Sequence, residues 1–95
     1  MKLSPKARSF VTRAVEQSAA SPLKHAARRL GTDPWSGDLS PEAEHVAIAA
    51  LDECRKQIWT RLGTPLAEDE AADLSNDLGF IEAVCTDLRR SINAC

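Results

Sequence analysis

Apolar residues recur along this chain at spacings of three and four, the period of helices that bury one face, and the same punctuation brackets each recurrence. A hydroxyl residue followed by proline occurs four times, as Ser4-Pro5, Ser21-Pro22, Ser40-Pro41 and Thr64-Pro65. Each pair reads as an N-cap and the first helical residue. The hydroxyl accepts from an otherwise unpaired amide, and proline sits where its missing N–H costs nothing. Gly31 and Gly63 follow the second and third segments as stop signals. The pattern predicts an all-α chain: a compact bundle of four helices over 5–18, 22–30, 41–62 and 65–93, forming a single domain over 1–95.

The inward faces follow from the spacing. Helix one should bury Ala7, Phe10, Val11, Ala14 and Val15, and helix two Leu23, Ala26, Ala27 and Leu30. Residues 32–39 read as a loop, because Pro34 and Gly37 oppose helix continuation. Helix three should turn Ala47, Ala50, Leu51, Cys54, Ile58 and Leu62 inward. In the fourth, Ala71, Leu74, Leu78, Ile81, Cys85, Leu88, Ile92 and Cys95 alternate in steps of three and four, an unbroken heptad seam. Gly79 interrupts propensity but not register, which favours one long helix.

The short Gly-Thr-Pro turn joins helices three and four as a long antiparallel C-terminal hairpin. Pairing from that turn sets Cys54 level with about residue 74, well away from Cys85, so no bridge between these two cysteines is expected. With the fourth helix starting at Pro65, its last two turns, carrying Leu88, Ile92 and Cys95, should outrun helix three. They then need helix one or two, a partner, or a second copy of the chain to cover them.

Composition narrows the class. Of 95 residues, 43% are hydrophobic and 27% charged, as in a globular domain; fifteen are Ala and four aromatic, which gives a thin core. No apolar run reaches membrane-spanning length, so no membrane partner is expected. The first 31 residues are basic, amphipathic and Ser-containing, which is also the make-up of a transit peptide. Three cysteines are a poor disulfide framework, and the expected location is cytoplasmic.

Charge is strongly segregated. Residues 1–31 hold seven bases against Glu16, a net of +6, while 32–95 hold five bases against thirteen acids, a net of −8. The expected reading is internal complementarity, with bases of helix one meeting Glu70 and Asp77 at the edge of helix four. The alternative is a phosphate footprint on Lys6, Arg13, Lys24, Arg28 and Arg29. Residues 23–31 resemble the first helix of a helix-turn-helix, but Pro34 and Gly37 stand where the recognition helix should begin.

Chemistry is thinly provided for. The sequence holds no nucleophile elbow, phosphate loop or zinc-ligand spacing. Glu42 and His45 have the E-x-x-H spacing of di-iron bundles, but they are a single pair and fall opposite the apolar face. The expectation is a non-enzymatic protein with no metal, cofactor or catalytic residue. Its candidate protein-binding surface comprises Trp35, Ile48, Arg55, Trp59, Leu88 and Ile92, since tryptophan beside arginine dominates many interfaces. The expected partner is therefore another protein, as for a regulator, inhibitor, adaptor or accessory subunit, with a homodimer as one form and nucleic acid as the alternative.

Overall fold

A computed structural model describes residues 1–17 and 21–93, with no account of the side chain of Ser21. Four helices follow in order: α1 (Pro5–Gln17), α2 (Ser21–Arg29), α3 (Pro41–Leu62) and α4 (Glu68–Asn93). The chain is an all-α bundle in which α3 is central. It shares its largest interface with α4 and also packs on α1 and α2.

Two hydroxyl–proline pairs cap as the sequence implies. The Ala7 amide donates to Ser4 Oγ and the Ala43 amide to Ser40 Oγ, both at 3.2 Å. Ser21 opens α2, but its capping role lies outside the described side chains. At Thr64 the expectation fails. Its hydroxyl donates backward to the Arg61 carbonyl at 2.6 Å, which also accepts from the Thr64 amide at 3.0 Å, so Thr64 closes the end of α3 instead of opening α4. Helix α4 therefore starts at Glu68, three residues later than expected, with the Ala71 amide bonded to the Ala67 carbonyl at 3.0 Å. Its first turn then holds Glu68, Asp69 and Glu70, where negative charge meets the positive end of the helix dipole.

The stops also differ. Gly31 has φ +113°, a conformation that excludes a side chain at low cost, whereas Gly63 caps α3 at φ −80° and uses no glycine-specific freedom. Helix α4 runs through Gly79 without interruption.

The later start of α4 changes the hairpin register. Arg61 meets Glu70 at 3.2 Å and Cys54 shares a groove with Leu74 and Asp77, which sets Ala43 level with about Leu88; Arg89 reaches back along the helix to lie 3.7 Å from Asp52. The overhang expected from a start at Pro65 therefore shrinks from two turns of α4 to less than one. Leu88 is fully buried, in one core with Leu3, Ala7, Leu39, Ala43 and Cys85, and Ile92 is half-buried. Cys95 lies outside the described residues. Val84 is also buried although it falls off the heptad seam, because α4 contacts α1 as well as α3.

The start of the chain closes the core from below. Lys2 and Asp38 form a β-bridge, and the Leu39 amide donates to the Met1 carbonyl at 3.0 Å. Glu44, the one buried charged side chain among the described residues, lies 3.6 Å from the Met1 ammonium.

Candidate functional site

Helix α3 carries a second stripe beside its core face. Ile48, Asp52, Arg55, Trp59 and Leu62 recur in steps of four and three, so they share one line along the helix. Trp59 is 58% exposed and is the one large hydrophobic exposed among the described residues. Ile48 and Leu62 are half-buried against the core at either side of it. Arg55 is not free: it lies 3.2 Å from Asp52 Oδ1, which Arg89 of α4 also approaches. That oxygen is buried and accepts no hydrogen bond, so these are charge contacts rather than aligned bonds.

The other proposed surface residues divide. Trp35 is buried beside α1 and α2, so it is not an exposed anchor, and Leu88 is core. Both leave the surface set. The reason is tertiary. The 31–38 loop folds back over α1 and α2, and the α3–α4 register covers the tail. Of the six candidates, Ile48, Arg55 and Trp59 lie together on α3, while half-buried Ile92 stands apart at the end of α4.

The basic half is not neutralised as expected. Glu70 pairs with Arg61 of α3 at 3.2 Å, not with a base of α1. Among the described residues, no ion pair joins a side-chain base of α1 or α2 to a hairpin acid. Lys6 instead sits 4.5 Å above the Phe80 ring, and Arg13 lies 5.7 Å from the Phe10 ring centroid. The two rings meet at 5.1 Å with a 38° tilt, so α1 docks on α4 through stacked aromatic faces flanked by cations. Arg13 shares a groove with Cys54 and Asp77 without reaching an ion pair. Lys24, Arg28 and Arg29 project from α2 into solvent.

Between α1, α2 and the 31–38 loop runs a cleft with two adjoining lobes of about 470 and 400 Å³. Arg8 and Arg13 line the first and Lys24 and Arg28 the second, while Thr12, Glu16 and Trp35 belong to both. A separate, more apolar groove lies between α2 and α3, floored by Leu23, Ala26, Val46 and Ala49 and bordered by His45 and Glu53. Glu42 and His45 are both exposed, and no group of three or more metal-ligating side chains assembles among the described residues.

Cys54 and Cys85 are free thiols. Burial pushes both above the ordinary value of 9.0, reinforced by Asp77 at Cys54 and by Asp52 at Cys85. That environment disfavours the nucleophilic thiolate. No helix among the described residues is long and apolar enough to cross a membrane. No family model matches the chain, nor does any curated protein or solved structure.

Proposed function

We propose that this chain is a small non-catalytic helical interaction module: a regulator, inhibitor, adaptor or accessory subunit that docks another protein through α3. The observation that supports this reading is Trp59, an exposed indole on a rigid 22-residue helix with apolar Ile48 and Leu62 on the same line. Such a residue loses little conformational freedom on binding and buries a large area, which is why tryptophan concentrates binding energy. Arg55, held by Asp52, supplies a preorganised rim. A cytoplasmic setting suits the two free thiols. The test compares wild type with Trp59→Ala in proximity crosslinking from the native cell. A partner captured by wild type and lost from the folded variant supports the reading. The same proteins captured by both would overturn it. Self-association through this stripe would appear as a dimer in sedimentation that Trp59→Ala dissociates.

Nucleic acid is the second reading, and one observation favours it. The bases of α1 and α2 have no carboxylate partners on the hairpin, so their field reaches solvent. Retention on a phosphate matrix that falls steeply with salt would support it, and no retention at low salt would sink it.

A further inference from the structure

We infer that the two-lobed cleft between α1, α2 and the 31–38 loop seats a single nucleic-acid strand. Its phosphates would lie on Arg8 and Arg13 in one lobe and on Lys24 and Arg28 in the other. This rests on the nucleic-acid reading above and narrows it from a basic surface to a defined groove.

Three features carry it. The lobes, at about 470 and 400 Å³, are open troughs, which suits an extended chain lying across them rather than an enclosed small molecule. Four bases line them against two acids, Glu16 and Asp33, and none of the four bases forms an ion pair among the described residues. Arg8 is the most telling: its Nε is buried and has no acceptor. No carboxylate holds this guanidinium, which leaves its remaining N–H donors available to an anion along the lobe it lines.

The placement of Glu16 selects among anions. It lines both lobes, between the two pairs of bases. A compact polyphosphate would carry negative charge directly past this carboxylate. A phosphodiester strand places a neutral sugar between successive phosphates, so each charge meets a basic pair while the spacer passes Glu16. Ser9, Thr12 and Thr32 add hydroxyl donors along the same walls.

Trp35 lines both lobes and reports occupancy. In a Trp59→Phe background it is the sole tryptophan. A fluorescein-labelled ten-residue oligothymidylate should raise its anisotropy on binding and change Trp35 emission saturably. The slope of log K on log salt should be about −1.4 if two phosphates are neutralised, one on each basic pair, at about −0.7 each for a single strand. Arg8→Gln and, independently, exposed Lys24→Gln should each weaken binding about tenfold and flatten the slope. Arg29→Gln, which lies outside the cleft, should change affinity less than twofold. Circular dichroism melts keep a folding defect in Arg8→Gln separate from lost binding. Oligonucleotide binding with unchanged Trp35 emission and equal effects at Arg8 and Arg29 would overturn the cleft while leaving a basic-face reading intact. No anisotropy change at all would overturn both. Equal binding of pyrophosphate, of a duplex or of a polyglutamate peptide would overturn the assignment to a strand.

Discussion

Gly79 offers a prediction whose sign and size come directly from the structure. It lies in the interior of α4, exposed, and a Cβ built on it would meet nothing within 4 Å. Its φ is not positive, so alanine adopts the same backbone without strain. Gly79→Ala therefore alters only helix propensity and the entropy of the unfolded chain, which together favour alanine by about 1 kcal/mol. Unfolding entropy for 95 residues is about 0.2 kcal/mol/K, so the melting temperature should rise by about 5 °C. Gly31→Ala provides the opposite sign. Open space surrounds Gly31 too, but at φ +113° a side chain is strained, and the substitution should cost about 1–3 kcal/mol. Paired urea melts with thermal scans read both. A Gly79→Ala protein that melts at or below the wild-type temperature would refute a continuous α4 and point to a kink at that residue.

Three further outcomes follow from the packing. Leu88→Ala should cost about 2–5 kcal/mol, as removal of a fully buried leucine does, and Leu88→Glu with Ile92→Glu should unfold the monomer; a folded double variant in sedimentation would show that the tail is not core. A double-mutant cycle on Phe10→Leu and Phe80→Leu should give a coupling of about 0.5–1.5 kcal/mol, and additive effects within error would contradict the stacked rings. Because Cys54 and Cys85 hold their protons above 9.0 when folded, their contribution is complete below about pH 9 and lost as pH rises through the folded values. Urea stability should fall as pH rises above 9.0, less steeply in the Cys54→Ala, Cys85→Ala protein; equal slopes would rule the thiols out.

The sequence alone determined what local chemistry determines. Apolar period foretold the four helices, and at two of the four hydroxyl–proline pairs, Ser4 and Ser40, the caps form as their side chains require. The buried faces at Ala7, Val11, Ala47, Leu51, Leu78 and Ile81 follow from spacing, because a helix has one geometry and its core stripe is periodic. The candidate residues Ile48 and Trp59 also share their line on α3 for that reason. What depended on long-range placement was decided elsewhere. Thr64 could cap forward or backward, and its amide and hydroxyl both turn back to the Arg61 carbonyl, while α4 starts three residues later than expected and the hairpin register shifts with it. That shift buried Leu88. Trp35 was ambiguous in a Pro/Gly loop until the loop folded back beside α1 and α2. Charge totals foresaw two opposed halves, but not that Lys6 and Arg13 would lie over Phe80 and Phe10 in place of carboxylates. Which acid or ring a long basic side chain reaches depends on how helices dock, and docking is a property of the assembled core rather than of any one segment.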